Sequence, residues 1–352
     1  MRIAQISPIW ASCPPEKYGG IEYIVSLLTE ELVRRGHSVT LFATGNSVTK
    51  AELRSVYDRP PLELMGNPIP GLLHAQFAFQ SAEFATPKFD IIHNHIGLLG
   101  TVLSTFIRTP TLHTLHGIFP SEMKRLYLMN KEKFYNSISG NQRLGCPELN
   151  YIGTVYNAIE VEKFEFEEEK DDYFVFVSRF NPEKGVHIAI EVARKAGVKL
   201  KISGKIESAD RPYYESKIKP FVDGKQIIEI PEMTFKEKVD LLKKAKAFIF
   251  PLQWSEPFGL VMPEAMVCGT PVVAFGYGSV PEVVKDKETG WIVGTVDEMV
   301  EVVKMIDSMP QEERSRLAKA CRRHVEENFS VARMTSSYEE LYKKIAWGQT
   351  PT

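Results

Sequence analysis

One stretch of the sequence decides the fold: residues 254–284, which are WSEPFGLVMPEAMVCGTPVVAFGYGSVPEVV. It places two carboxylates, Glu256 and Glu264, on either side of a turn that leads into an apolar run typical of a buried helix. A carboxylate at the mouth of a pocket can accept two hydroxyl hydrogen bonds. Glu256 is therefore suited to a sugar, and Glu264, eight residues later, is suited to a ribose.

The turn between the two carboxylates is suited to an anion. Its residues Phe258, Gly259 and Leu260 offer backbone N–H groups at a helix start, where a diphosphate can bind. Two glutamates on a solvated helix face are the alternative interpretation, and the apolar or small neighbours in EPFGLVMPEAMVCGTPVVA argue against it. The stretch predicts a pocket for a nucleotide joined to a sugar.

The pattern of a doubly wound parallel sheet occurs twice along the chain. In the first half a helix is predicted over residues 21–35, among the strands RIAQIS, SVTLFA, DIIHNH, TPTLHTLH and GTVYNA. In the second half, helices are predicted over residues 185–195 and 236–245, among the strands YFVFVSR, VKLKISGK, QIIEI and AFIFP. The charged residues 161–172, VEKFEFEEEKDD, show no buried period and predict a linker.

Composition agrees with two soluble domains. A chain of 352 residues exceeds what one hydrophobic core usually holds, and its net charge of −2 provides no basic field for nucleic acid. The four cysteines are far apart, which argues against a zinc site or a disulfide framework and favours a reducing compartment. No apolar run has the length of a membrane span, and MRIAQISP leads directly into a strand. We expect a cytoplasmic protein that does not bind nucleic acid.

A second motif, VSRFNPEKG, supplies two cations near a helix start. Arg179 follows a predicted strand, and Lys184 precedes the glycine that begins the next helix. Arginine binds phosphate as a bidentate fork and lysine binds it as a point charge, so together they can hold a diphosphate. The alternative is an arginine and a lysine on a surface loop, which the RFNPEKG spacing disfavours.

These motifs resemble those of the family 4 glycosyltransferases, which are retaining enzymes of GT-B architecture. The resemblance implies that Glu256 contacts the transferred sugar, that Glu264 contacts the ribose, and that Arg179 and Lys184 hold the donor phosphates. It also implies an α/β fold with two Rossmann-like doubly wound domains that face each other across a cleft.

The same resemblance predicts the order of the domains. Residues 1–164 would form an acceptor-binding domain and residues 165–328 a nucleotide-sugar domain. Residues 329–352 would form a C-terminal helix that crosses back to the first domain.

A glycine-rich loop, EKYGGIE, follows the first strand. At Gly19 and Gly20 the backbone can approach a ligand without an intervening Cβ, and the family has a loop here that closes over the donor. A plain turn is the alternative. The loop is not a Gly-x-Gly-x-x-Gly fingerprint, so an NAD enzyme is not expected.

Four histidines lie at two predicted strand ends, DIIHNH and TLHTLHG. His93 and His95 alternate on one strand and share a face, but no carboxylate or cysteine nearby completes a metal site, so none is expected. The resemblance identifies His116 as the active-site histidine. His113 would point to the opposite side, into the core, and for His95 a functional and a structural role both remain open.

The resemblance also implies the chemistry. In front-face substitution the leaving phosphate oxygen takes the proton of the acceptor, so no enzymic base is required, although Glu16 and Glu122 remain candidate acceptor contacts. The sequence contains no Asp-x-Asp, and we expect catalysis without a metal or cofactor. UDP-glucose is the first expected donor and GDP-mannose the second. The acceptor hydroxyl compound is not identified.

Several alternatives remain. A sugar-nucleotide epimerase of GT-B fold and a non-catalytic nucleotide-sugar-binding subunit share many of these features, whereas a phosphorylase would need a longer chain. A glycosidase would use Glu256 and Glu264 as paired carboxyl groups, but their setting favours ligand contacts. The stretch PSEMKRLYLMNKEKFY mixes basic and apolar residues, and it predicts either weak peripheral contact with the inner membrane face or a half-buried helix.

Overall fold

The computed structural model describes residues 1–16 and 19–348 in two compact units. The first unit comprises Met1–Ile159 and the C-terminal segment that begins at Val331, and the second comprises Glu160–Ser330. The division therefore falls five residues before the predicted boundary at residue 164. In the described part of the chain, no helix is both long enough and apolar enough to span a bilayer.

The first unit contains a parallel sheet of seven strands in the order β3-β2-β1-β4-β5-β6-β7. The strands are β1 (Arg2–Ile6), β2 (Ser38–Phe42), β3 (Glu52–Arg54), β4 (Ile91–Asn94), β5 (Thr111–Leu115), β6 (Phe134–Ser137) and β7 (Tyr151–Thr154). The helices are α1 (Gly20–Arg34), α2 (Pro68–Glu83), α3 (Leu98–Leu103), α4 (Ser121–Met129), α5 (Gly140–Arg143) and the C-terminal α13 (Val331–Trp347).

The sequence pattern explains the centre of this sheet. β1 is almost wholly buried, and α1 covers the sheet with the apolar face Ile24, Val25, Leu28 and Leu32. The predicted helix differs from α1 by one residue at each end. In the predicted strand GTVYNA, sheet pairing ends at Thr154, and β7 begins two residues before the predicted start.

The second unit contains a parallel sheet of six strands in the order β10-β9-β8-β11-β12-β13. The strands are β8 (Phe174–Val177), β9 (Leu200–Ser203), β10 (Ile227–Glu229), β11 (Phe248–Phe250), β12 (Val272–Phe275) and β13 (Gly290–Val293). The helices are α6 (Val186–Ala196), α7 (Arg211–Lys217), α8 (Phe235–Lys243), α9 (Val261–Val267), α10 (Val280–Val283), α11 (Val296–Asp307) and α12 (Gln311–Asn328).

The charged segment predicted as a linker is instead part of the second unit. Val161 and Phe164 are buried, and the Arg322 guanidinium donates hydrogen bonds to both of their carbonyl groups. The Glu167 N–H donates to the carbonyl of Cys268. The buried positions are too few to show a period among the charged residues, so the sequence did not reveal this packing.

In each sheet there is one position at which successive strands stop being added on one side of the first strand and begin to be added on the other side. In the second unit, β9 and β10 extend the sheet on one side of β8, and β11 begins on the other side. In the first unit the same change occurs between β1 and β4. Ligands of open parallel sheets bind outside the carboxyl ends of the strands at this switch point. A ligand-binding site is therefore expected at the loops after β8 and β11 in the second unit and after β1 and β4 in the first.

Candidate functional site

In the second unit, the loops after β8 and β11 are joined at the switch point. The Gln253 N–H donates to the carbonyl of Glu183 at 2.6 Å. The ammonium group of Lys184 forms an ion pair with Glu256 Oε2, and both side chains are buried. Trp254 Nε1 donates to the same oxygen at 3.0 Å. Two donors thus hold Oε2, while Oε1 has no hydrogen-bond partner among the residues that the structure describes.

The environment of Lys184 favours a cation. Its Nζ atom lies 5.0 Å from the ring centre of Trp254 and 5.9 Å from that of Phe250, within the range of cation–π attraction. The backbone N–H of Lys184 donates to Asn181 Oδ1 at 3.0 Å, and this bond fixes the turn Pro182–Lys184. The charge of Lys184 is therefore balanced by a carboxylate, and its position is set by the backbone.

Arg179 follows the same strand, and it differs from Lys184 in having no anionic partner. Its side chain is half-buried, and its guanidinium forms no hydrogen bond or ion pair with the described residues. Its five N–H donors therefore have no protein acceptor in this part of the chain. The loop after β8 thus carries Lys184, which is paired with Glu256, and Arg179, which has no anionic partner among the described residues.

Two glycines hold the backbone around Glu256. Gly278 has φ of 60°, and a Cβ there would lie 2.3 Å from the backbone nitrogen of Glu256. Gly259 has φ of 75°, and a Cβ there would lie 3.2 Å from Glu256 Cγ. The Ser279 N–H also donates to the carbonyl of Glu256 at 2.9 Å. The sequence analysis missed Gly278, although a glycine just after a buried strand was a signal for it.

Glu264 lies in α9 and has a separate partner. Its Oε1 accepts a hydrogen bond from Lys238 Nζ of α8 at 2.7 Å, and its side chain is 12% exposed. Before α9, the N–H groups of Gly259 and Leu260 have no acceptor within the described chain. Phe258 is a core residue, since its ring packs edge-to-face against Phe329 at 5.7 Å. The structure thus joins Glu256 to Lys184 and Glu264 to Lys238, and Lys238 was not predicted.

In the first unit, His116 is linked to the other histidines. Its Nε2 lies 3.0 Å from His95 Nδ1, and the two rings are stacked. His95 Nε2 lies 3.0 Å from Gln5 Oε1. Burial lowers the pKa of His116 to about 4 and that of His95 well below the usual value, so both rings are neutral at pH 7. His113 is fully buried and contacts Asn94.

The glycine loop after β1 is only partly described, because Lys17 and Tyr18 lie outside the described residues. At Gly19 a Cβ would lie 2.8 Å from Pro15 Cβ and 3.2 Å from a carboxylate oxygen of Glu22, so this position is crowded. At Gly20 a Cβ would meet nothing within 4 Å. Close packing therefore explains a glycine at the first position and not at the second.

Comparison with known proteins gives these residues a family. A model described as "Glycosyl transferases group 1" matches residues 158–324, and one described as "Glycosyltransferase Family 4" matches residues 18–144. The chain belongs to the family 4 glycosyltransferases. An uncharacterized glycosyltransferase of Methanocaldococcus jannaschii is 25% identical to this glycosyltransferase over 338 residues, which cover 83% of this chain and 85% of that one.

Solved structures agree on the fold of the glycosyltransferase. Sucrose-phosphate synthase of Thermosynechococcus elongatus has a TM-score of 0.82 and 19% identity, over 99% of this chain and all of that one. Anabaena HepE in complex with UDP-glucose has a TM-score of 0.72 and 17% identity, over 98% of this chain and all of that one. The predictions of an α/β fold of GT-B type and of a transferase enzyme are confirmed.

The described residues contain no group of three or more histidine, cysteine, aspartate or glutamate side chains arranged to hold a metal ion. The four histidines of β4, β5 and the loops after them bind one another and neutral partners instead. All four cysteines are buried and free. Burial raises the pKa of Cys13, Cys268 and Cys321 to about 12, so these thiols are poor nucleophiles.

Proposed function

We propose that this glycosyltransferase moves a hexose from a nucleoside diphosphate sugar to an acceptor hydroxyl with retention of the anomeric configuration. The observation that carries the proposal is the buried ion pair of Lys184 and Glu256 at the switch point of the second sheet, with Arg179 in the same loop as Lys184. UDP-glucose is the first proposed donor, supported by the UDP-glucose complex of Anabaena HepE, and GDP-mannose is the second.

The cation pair would hold the diphosphate. Arg179 has no anionic partner in the described chain, so it can bind a phosphate oxygen without breaking an existing ion pair. Lys184 has three N–H donors and uses one on Glu256, which leaves others for the diphosphate. As the leaving group departs, its negative charge grows and both attractions strengthen. We propose that this electrostatic support makes a divalent metal unnecessary.

The carboxylates would bind the hydroxyl groups of the donor. Glu256 Oε2 is held by Lys184 and Trp254, so Oε1 is free to accept a hydrogen bond from the sugar. Glu264 would accept hydrogen bonds from the ribose, while Lys238 fixes its orientation. The backbone N–H groups of Phe258, Gly259 and Leu260 are the remaining groups that we propose to contact the nucleotide-sugar.

The proposed step needs no external reactant. The bond between the anomeric carbon and the diphosphate oxygen breaks, and its electron pair stays on that oxygen. The acceptor oxygen bonds to the anomeric carbon on the same face, and its proton passes to the leaving phosphate oxygen. The products are a glycoside and a nucleoside diphosphate, so no enzymic base or cofactor is consumed.

The first unit would contribute His116 to the transfer step. Because burial keeps its pKa at about 4, the ring is a neutral hydrogen-bonding group at pH 7 rather than a cation. Gly19 and Gly20 are proposed to let the loop backbone approach the donor. Glu16 and Glu122 remain candidate contacts for the acceptor.

An assay with EDTA tests the proposal. The enzyme is incubated with UDP-glucose or GDP-mannose, with water and a set of simple alcohols as acceptors, and nucleoside diphosphate release is followed. NMR of the first sugar product reports its anomeric configuration. We expect release with one donor, without added metal, and a product with the configuration of the donor.

Four results would contradict the proposal or favour an alternative. An inverted product, or turnover only with added Mg²⁺, would contradict the mechanism. A free sugar epimerised at the carbon next to the anomeric centre would favour the epimerase. Nucleotide binding without any turnover, across all acceptors, would favour the non-catalytic subunit.

We further propose a cytoplasmic location, supported by the four free cysteines, with weak contact at the inner membrane face. Helix α4 buries Tyr127 and exposes Met123, Leu126 and Met129, beside the cation of Arg125. This mixture suits an anionic bilayer surface. Flotation with phosphatidylglycerol vesicles should carry the wild type upward and leave Leu126→Ser/Met129→Ser behind. Equal flotation of both would contradict membrane contact through α4.

A further inference from the structure

A continuous row of polar side chains runs through the interior of the first unit, from His116 through the C-terminal helix α13 to Asn136 of β6. Apart from His116, which is half-buried, its members are almost fully buried. In order, they are His116, His95, Gln5, Tyr342, His93, Thr114, Tyr338 and Asn136. Neighbours in the row come from distant parts of the sequence, such as Gln5 and Tyr342, so the fold, and not local sequence, assembles it.

The far end of the row sets the direction of its hydrogen bonds. The Thr114 hydroxyl donates to the Tyr338 oxygen at 3.3 Å, so the Thr114 oxygen accepts from His93 Nε2 at 2.7 Å. With its hydrogen on Nε2, a neutral His93 uses Nδ1 as an acceptor. The hydroxyl of Tyr342, 2.6 Å away, therefore donates to His93 Nδ1.

The same logic continues to His116. The Tyr342 oxygen accepts from Gln5 Nε2 at 3.0 Å, which turns Gln5 Oε1 towards His95. A carbonyl oxygen only accepts, so His95 carries its hydrogen on Nε2 and its Nδ1 must accept. The partner of that Nδ1 is Nε2 of His116, which therefore carries the hydrogen. Nδ1 of His116 has no hydrogen-bond partner in the described part of the chain.

We propose that Gln5 and His95 are positioning residues that hold His116 in the form with hydrogen on Nε2, and so leave Nδ1 as an acceptor for a substrate hydroxyl. The last clause rests on the role proposed above for His116. The hydrogen-bond relay, which is the ordered series of hydrogen bonds along this row, does not rest on that role. The relay requires neutral rings, and burial lowers the pKa of His93, His95 and His116. A reversed Gln5 amide would reverse every bond and place the hydrogen of His116 on Nδ1.

NMR of the enzyme labelled with ¹⁵N-histidine tests the relay without substrate, because two-bond correlations show which ring nitrogen is protonated. The signals of His116 are assigned by their loss in His116→Gln. We expect the wild type to show His116 protonated on Nε2, with a proton that is protected from water. Gln5→Met is a substitution of similar length without hydrogen-bonding groups. In this variant the Nε2 proton of His116 should lose its protection from exchange with water, and the chemical shifts of the two ring nitrogens should become more similar.

A second histidine and a second variant serve as controls. His74 donates from Nε2 to the carbonyl of Ser7 at 2.8 Å, so its signals should stay unchanged in Gln5→Met if the first unit is folded. His95→Gln keeps one donor and one acceptor and should preserve the His116 signal, whereas His95→Leu should not. A wild type protonated on Nδ1 of His116, or a His116 signal unmoved in Gln5→Met, overturns the proposal.

Kinetics separate the relay from the proposed function. With the transfer assay, Gln5→Met should lower kcat about tenfold and leave the affinity for UDP unchanged, since Gln5 lies in the first unit. If the His116 proton is lost but kcat is unaffected, the relay stands and the catalytic role proposed for His116 fails. If the proton is retained in Gln5→Met, the relay fails whatever the kinetics show.

Discussion

Glu256 and Glu264 each form an ion pair with a lysine, but their settings differ. Glu256 is fixed by two donors on one oxygen and by close packing against Gly259 and Gly278, whereas Glu264 has a single partner on a neighbouring helix. A firmly placed carboxylate can respond to charge that develops during reaction without reorganising. A carboxylate with one flexible lysine partner is better suited to ground-state binding.

This difference predicts a split in kinetic parameters. Glu256→Gln should lower kcat by about a hundredfold with little change in KM, because it removes an interaction made chiefly in the transition state. Glu264→Gln should raise KM about tenfold and leave kcat within about twofold. Steady-state kinetics with the donor varied measure both. The division of roles is wrong if both variants change the same parameter.

His74 allows a test of pH dependence in the first unit. Burial lowers its pKa from 6.5 to about 4, so below pH 6.5 the unfolded chain binds a proton that the folded chain refuses. Stability from this group is complete above pH 6.5 and is lost as the pH falls towards 4. Carboxylates contribute at lower pH, since their usual pKa is near 4.

His74→Gln keeps a donor for the Ser7 carbonyl and does not titrate. Between pH 7.5 and 5.5, the wild type should lose about 1 kcal/mol more unfolding free energy than this variant. Urea denaturation followed at several pH values provides the measurement. Parallel pH profiles for the two proteins would show that His74 is protonated in the folded state as readily as in the unfolded state.

At the residue scale, the sequence predicted candidate site residues but not how they pair. Arg179, Lys184, Glu256 and Glu264 stand in motifs whose spacing is visible in one dimension. The contact between Lys184 and Glu256 spans 72 residues, and that between Gln5 and Tyr342 spans 337. Contacts over such distances depend on strand order, which no local pattern contains.

Among the elements of the second unit, the loop after β12 supports the loop that carries Glu256. A Cβ on Gly278 would lie 2.3 Å from the Glu256 backbone, whereas Gly197, with a similar positive φ, has nothing within 4 Å. Both Gly→Ala variants pay for a left-handed backbone, by about 1 kcal/mol. Only Gly278→Ala must also displace Glu256.

Gly278→Ala should therefore weaken binding of the nucleotide-sugar by about tenfold, while Gly197→Ala binds like the wild type. Isothermal titration calorimetry compares them at matched temperature, and circular dichroism confirms that both are folded. Equal affinities in the two variants would mean that the loop after β12 does not position the site.

Helix α13 gives the second prediction at this scale. Its Tyr342 hydroxyl bonds to Gln5 and His93, so Tyr342→Phe leaves buried polar groups unpaired and should cost the first unit about 1–2 kcal/mol. The Tyr151 hydroxyl is buried and has no partner among the residues described, so Tyr151→Phe should cost nothing or stabilise. Chemical denaturation ranks the two. A larger loss in Tyr151→Phe would contradict the hydrogen-bond assignment.

Elements were predictable where burial and period agree. The central strands are short apolar runs, and α1 and α6 have one clear apolar face. Helix α2 was missed because it begins PIPG and is apolar on its exposed side too, at Ile69 and Leu72. Strand β3 has only three residues at a sheet edge, which is too short for an alternating pattern to show.

For the whole molecule, the sequence indicated two Rossmann-like units, and the structure shows which parts of the chain form each. The segment from Val331 belongs with the first unit because its tyrosines complete the polar row behind β4 and β5. The family resemblance predicted a helix that crosses back to the first domain, whereas periodicity alone indicated only a helix. The identities of the sugar donor and the acceptor depend on the side chains that contact these ligands. No pattern in the sequence specifies either ligand.

The central claim is that the switch point of the second sheet binds the diphosphate of a nucleotide donor. Isothermal titration with UDP and GDP in EDTA, on the wild type and on Arg179→Gln, tests it directly, with the distant surface variant Arg194→Gln as a control. We predict that one nucleotide binds the wild type and Arg194→Gln equally, and binds Arg179→Gln at least about tenfold more weakly, because Arg179 is a charge-assisted donor to phosphate. Binding of neither nucleotide, or equal binding by all three proteins, would contradict the claim.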